Sequence, residues 1–125
     1  MNKGRILTID DEADFVAIIK NYFSLRGYEV FTAVRGVAGL DIVQKEKPDV
    51  VLIDLKLPGI DGDQIVPQIK KLNPKSKVIM ITAYKDEGQT KKRVIEAGAY
   101  AYFEKPIASF KELEETVSKA IKEVG

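Results

Sequence analysis

Asp10, Asp11, Asp54, Thr82 and Lys105 could do chemistry together if the fold gathered them in one place. Three carboxylates crowded together repel, and a hard cation relieves the repulsion. Mg2+ suits such a set, because it takes oxygen ligands, is held by one or two carboxylates and keeps several waters. A carboxylate is also a competent nucleophile, so Asp54 could attack phosphorus and carry an aspartyl phosphate. The equatorial oxygens of a transferred phosphoryl group share its spread charge. A metal could take one of them, the Lys105 ammonium another and the Thr82 hydroxyl the third, which is stabilisation by preorganised groups. The chain has no His and no Cys, so imidazole catalysis, thiolate zinc sites and disulfides are excluded.

Taken singly, each of these residues has an ordinary explanation. An Asp after a strand is a common helix N-cap. Asp54 stands before a Pro-Gly turn, where Asp is favoured anyway. Thr82 suits a strand, and Lys105 could be a solvated surface charge. The elements that carry them decide the matter. Ile6–Ile9 is a short apolar run ending at Asp10, and Val50–Ile53 is a continuous, mostly β-branched run ending at Asp54. Val78–Ile81 ends at Thr82, and Tyr100–Phe103 is followed by Lys105-Pro106. Glu29–Ala33 alternates polar and apolar residues, as a half-buried edge strand does.

Helical patterns separate these strands. Phe15, Ile18, Ile19 and Tyr22 recur at helical spacing before Gly27, and Leu40 and Val43 mark a second helix closed by Pro48. Ile65, Ile69 and Leu72 mark a third, although Pro67 inside it requires a late start or a distortion. Residues 86–97 read as a fourth helix poor in apolar side chains, with Val94, Ile95 and Ala97 nearly all it can bury. Phe110, Leu113, Val117, Ala120 and Ile121 form the last, with Ser109 as N-cap. Five βα units imply an α/β fold, a doubly wound parallel sheet. The edge character of the second strand and the buried character of the third predict the order 2-1-3-4-5, the flavodoxin-like arrangement. In open α/β sheets ligands bind outside the carboxyl ends of the strands, which is where the acids, the hydroxyl and the ammonium fall.

The remaining composition is that of an ordinary globular domain. The 125 residues fit a single domain, 1–125, with 45% hydrophobic and 31% charged residues. A net charge of +1 gives no argument for nucleic acid or a membrane surface. No apolar run approaches spanning length, the N-terminus does not read as a signal peptide, and the lack of Cys suits the cytoplasm.

At this point the chain resembles the receiver domains of response regulators of two-component systems, across nearly its whole length. Ile9-Asp10-Asp11-Glu12 is similar to the family's acidic pair, and Asp54-Leu55-Lys56-Leu57-Pro58-Gly59-Ile60-Asp61-Gly62 to the segment around its phosphorylated Asp. Ile81-Thr82-Ala83 matches the switch hydroxyl, Lys105-Pro106 the Lys-Pro end and Tyr102 the switch aromatic. The resemblance implies a phosphoprotein with Asp54 as phosphoacceptor. It implies Mg2+, or Mn2+ in its place, on Asp11, Asp54 and the Lys56 backbone carbonyl, with Asp10 acting through water. It also implies Lys105 on the phosphoryl group, Thr82 and Tyr102 as the moving switch, and a cis Lys105-Pro106 bond. Lys56 and Tyr84 occupy the positions that tune phosphoryl lifetime. That pair and the short length also resemble the stand-alone phosphorelay regulators of sporulating bacteria.

The implied donor is a phosphohistidine on a histidine kinase or histidine phosphotransfer protein. The implied output passes to a downstream phosphotransfer or effector protein through the helix 4–strand 5–helix 5 face, near Lys91, Lys92, Lys119 and Lys122. No direct nucleic-acid binding by this domain is expected, and no enzyme activity beyond self-phosphorylation and self-dephosphorylation. A haloacid-dehalogenase-type phosphatase uses similar groups in the reverse chain order, with its nucleophile first. A flavodoxin-like FMN carrier would want Ser, Thr and Gly after strand one, not Asp-Asp-Glu-Ala-Asp. A degenerate receiver-like fold used as a binding module is the remaining alternative.

Overall fold

Continuous apolar runs build the middle of the sheet, and the alternating run lies at its edge. The computed structural model of the chain describes residues 2–57, 60–83 and 88–123. Five parallel strands, β1 (Arg5–Ile9), β2 (Glu29–Ala33), β3 (Val50–Ile53), β4 (Lys77–Thr82) and β5 (Ala101–Glu104), form one sheet in the order β2-β1-β3-β4-β5. This is the flavodoxin-like order expected from the sequence. Every residue of β3 is buried, whereas β2 is mostly half-exposed. A short antiparallel ribbon pairs Lys56–Leu57 with Ile60–Asp61 after β3, an element the turn signals there did not suggest.

Five helices cover the two faces: α1 (Ala13–Ser24), α2 (Gly36–Glu46), α3 (Gly62–Leu72), α4 (Gln89–Glu96) and α5 (Phe110–Lys122). Alternation along the strands sends Leu7, Ile9, Val51, Ile53, Val78 and Met80 toward Val43 of α2, Ile65 and Ile69 of α3 and Val94 of α4. The intervening residues Ile6, Val50, Leu52, Ile79 and Ile81 face Ile19 and Phe23 of α1 and Leu113, Val117 and Ala120 of α5. Ser109 caps α5 as expected, its hydroxyl accepting from the Glu112 N–H at 3.1 Å. Gly27 ends the α1 turn with φ +96°, a conformation that favours glycine.

Some local expectations fail for identifiable reasons. Ile18, expected on the apolar face of α1, is 51% exposed, and Val16 is buried instead. Ile95 is also exposed, so α4 buries only Thr90 and Val94. Helix α3 does not start late: it runs through Pro67, whose ring lies on the exposed side. Water there can serve the carbonyl that the missing N–H leaves without a partner. Helix α4 begins at Gln89 after Gly88, and residues 86 and 87 lie outside the described residues.

Helix α2 lies close on β1 because Gly39 is buried against Ile9. A Cβ at position 39 would stand 2.7 Å from Ile9 Cγ1. Gly39→Ala is therefore expected to destabilise the fold by about 1–3 kcal/mol through overpacking, despite a helix-propensity gain of up to about 1 kcal/mol. Urea unfolding checks this; an unchanged or raised midpoint would contradict the close approach.

Candidate functional site

The site is built one residue beyond the strand ends. Ile9 pairs with Ile53, Ile53 with Met80, and Met80 with Tyr102. Backbone bonds then continue past the strands. The Asp10 N–H donates to the Ala33 carbonyl at 3.0 Å and the Asp54 N–H to the Ile9 carbonyl at 3.1 Å. The Lys105 N–H donates to the Thr82 carbonyl at 2.9 Å, and the Lys105-Pro106 bond is cis.

Asp10 and Asp54 are 1% and 7% exposed. Buried carboxylates are costly unless they are paired and hydrogen-bonded, and here each oxygen has a task. Asp10 Oδ1 accepts the Glu12 N–H at 2.9 Å, and Asp54 Oδ1 accepts the Lys56 N–H at 3.2 Å. The remaining oxygens share one cation. Lys105 Nζ donates to Asp10 Oδ2 at 2.7 Å, to Glu12 Oε1 at 2.6 Å and to Asp54 Oδ2 at 3.2 Å. The same ammonium stands 4.5 Å from the centre of the Phe15 ring.

Carboxylate oxygens of Asp10, Glu12 and Asp54 all lie within 4.8 Å of one another. Two unit charges 4 Å apart interact by about 4 kcal/mol at an effective dielectric of about 20, so three acids around one lysine leave a net deficit of positive charge. Burial raises the Asp10 carboxyl above its ordinary range, against the opposing pull of Lys105 and the Glu12 N–H. Burial alone would lower Lys105, but its bonds to Asp10 and Glu12 and the charges of Asp10 and Asp54 outweigh it and raise its pKa. An all-oxygen donor set, short of positive charge and partly buried, fits a hard dication such as Mg2+.

Of the residues singled out in the sequence, the structure brings together Asp10, Asp54 and Lys105. Thr82 is buried at the end of β4. Tyr102 on β5 is partly buried and packs on the sheet face that holds α2, α3 and α4. Lys56 is exposed and is joined to Asp54 through its N–H. Asp11 is exposed and stands outside the three-acid group. Tyr84 and the Pro58-Gly59 turn lie outside the described residues. Neither Asp10 nor Asp11 is the N-cap of α1, which is Glu12, without a side-chain cap bond.

Sequence reasoning missed two participants, Glu12 and Phe15. The acidic run after β1 signalled that some of its members face the site, but only the turn at the α1 start selects Asp10 and Glu12. Beside the pocket lies a groove of about 400 Å3 lined by Phe15, Ile18, Ala83, Ile107 and Phe110 together with Glu12, Lys105 and Pro106.

Comparison with known proteins decides the family. The family model described as the response regulator receiver domain matches residues 6–118. The chain belongs to the response regulator receiver family. It is 36% identical over 119 residues to sporulation initiation phosphotransferase F of Bacillus subtilis, covering 95% of this chain and 94% of that protein. It is also 36% identical over 108 residues to the transcriptional regulatory protein PhoP for alkaline phosphatase synthesis of the same organism, covering 86% of this chain but 44% of that protein. A CheY-like receiver domain protein from Methanospirillum hungatei superposes with a TM-score of 0.88 at 32% identity, over 95% of this chain and 94% of that one. This receiver domain therefore carries an acidic pocket of Asp10, Glu12 and Asp54. Among the described residues no helix is long and apolar enough to cross a membrane.

The raised Asp10 carboxyl makes stability depend on pH in a defined direction. Between the ordinary Asp value and its raised folded value, the folded state binds more proton than the unfolded chain, so stability falls as pH rises through that window. With a chelator present, unfolding free energy of the wild type minus that of Asp10→Asn is expected to grow as pH is lowered from neutrality toward about 4, near the model-peptide Asp value. A flat difference, or one that shrinks, would contradict the raised Asp10.

Proposed function

We propose that the chain, as one receiver domain over residues 1–125, accepts a phosphoryl group on Asp54 in a Mg2+-dependent reaction and signals by the rearrangement that follows. The observation that carries this reading is the shared ammonium: Lys105 holds Asp10 and Asp54 at 2.7 and 3.2 Å in a buried pocket at the strand ends. A carboxylate oxygen of Asp54 forms the new O–P bond. The donor's N–P bond breaks, and the imidazole nitrogen leaves with the electron pair and takes up a proton from water. Lys105 turns from Asp54 to a phosphoryl oxygen, and the Thr82 hydroxyl takes another, as preorganised donors do. Mg2+, when bound, neutralises the acids and the phosphoryl oxygens. Asp11, Asp54 and the Lys56 carbonyl would hold it, with Asp10 through water, as the family resemblance implies; Mn2+ could replace it.

The donor is a phosphohistidine on a histidine kinase or a histidine phosphotransfer protein, since this chain has no His. The apolar groove beside Lys105 supports docking of such a partner near the acceptor. Output runs through α4, β5 and α5 to a downstream phosphotransfer or effector protein. Helix α4 is suited to move, because it buries little and elements with few buried contacts open cheaply. Lys91, Lys92, Lys119 and Lys122 are exposed on these helices. Lys56 and Tyr84 would shield the aspartyl phosphate from water and set its lifetime.

Intact mass after incubation with acetyl phosphate, with and without Mg2+, tests the proposal on the wild type and on Asp54→Asn. The expected result is a Mg2+-dependent gain of one phosphoryl group by the wild type alone. No gain from acetyl phosphate or from a phosphohistidine donor would reduce the chain to a receiver-like binding module.

A further inference from the structure

The Lys105 ammonium is held from two directions. Asp10 and Asp54 hold it from the strand ends, at 2.7 and 3.2 Å. Glu12, at 2.6 Å, and the Phe15 ring, 4.5 Å away at its centre, hold it from the first turn of α1. Glu12 is the N-cap of α1 and Phe15 lies in its first turn, so both reach Lys105 from the α1 side. The Lys105 side chain is only 9% exposed, whereas the Glu12 side chain is 61% exposed. One side of this cradle is therefore open to solvent and to the groove, and the other is the acid pocket.

The geometry points to Glu12 and Phe15 as positioning residues that keep Lys105 at the pocket when a dication engages Asp54 directly and Asp10 through water. This assignment rests on the phosphoryl-accepting reading above. A dication on those acids would engage the oxygens that Lys105 now uses and would repel the ammonium. Without other partners, a long flexible lysine would swing into water, where its ammonium is strongly hydrated. The carboxylate of Glu12 and the face of Phe15 lie on α1 rather than at the strand ends. They keep an attractive charge and an attractive quadrupole beside Lys105 after its strand-end partners are engaged. The ammonium then stays within reach of an incoming phosphoryl oxygen and need not be recruited from solvent.

Phe15→Leu isolates the effect, because it removes the aromatic face without changing any charge. Phe15→Tyr restores the face. At saturating Mg2+ the Leu variant is expected to take up phosphoryl groups from acetyl phosphate about three- to tenfold more slowly, with the Tyr variant near wild type. Glu12→Gln, also compared at saturating Mg2+, is expected to slow uptake similarly. A second readout needs no phosphorylation. The ε-methylene protons of Lys105 should resonate upfield of ordinary lysine under the Phe15 ring current. They should stay there when Mg2+ is added to the wild type, and move to the ordinary position in Phe15→Leu.

Three results would overturn the assignment. One is a wild-type Lys105 signal that leaves the ring on Mg2+ addition. Another is equal or faster uptake by both Phe15→Leu and Glu12→Gln. The third is a loss of Mg2+ affinity above tenfold in Glu12→Gln, which would make Glu12 a ligand. If the wild type takes up no phosphoryl group from any donor, the proposed function fails, while the Lys105 spectrum still decides whether the cradle holds.

Discussion

One ammonium shared among three carboxylates is the constraint around which this molecule is arranged. Lys105 touches Asp10, Glu12 and Asp54, and two of these acids are buried. A buried charge pair contributes little net stability even with good geometry, and breaking one is costly. A cluster with surplus acid is worse placed still, so its retention is not explained by stability. A ligand that supplied the missing positive charge would relieve this surplus of acid.

The fold meets this constraint with rigid parts on one side and a lightly held part on the other. Asp10, Asp54 and Lys105 each carry backbone bonds that continue the sheet ladder, so their Cα positions follow from strand pairing. Central strands with both faces covered hold that register firmly, because a one-residue slip would send every side chain to the opposite packed face, where it does not fit. On the other side, α4 anchors itself through Thr90 and Val94. A fully buried aliphatic side chain contributes about 1.5–3 kcal/mol, so α4 is held by roughly one such contribution. Such an element moves at low cost.

Much of this was legible in the sequence, because strand ends and ligand sites coincide in open α/β sheets. The continuous run Val50–Ile53 and the alternating run Glu29–Ala33 fixed the strand order. Asp10, Asp54 and Lys105 followed from where the runs stop. What stayed hidden depends on a few degrees of backbone. Whether Asp11 or Glu12 meets Lys105 is set by the turn into α1, where the Glu12 N–H bonds to Asp10. Ile18 reads as core by spacing, yet it lines the groove beside the pocket. Pro67 called for a late start or a distortion of α3 and is a solvent-side residue inside it. Helical periodicity gives a face, but not which end of that face the neighbouring loop leaves uncovered.

The most direct test of a pocket short of positive charge is unfolding free energy as a function of Mg2+ concentration, for the wild type and Asp54→Asn. A ligand that binds only the folded state stabilises it by about 2.7 kcal/mol at a hundredfold excess over its Kd. The account predicts a saturating rise of that order in the wild type and a much smaller one in Asp54→Asn, with little response to equal ionic strength of NaCl. A wild-type stability that ignores Mg2+, or follows NaCl equally well, would contradict it.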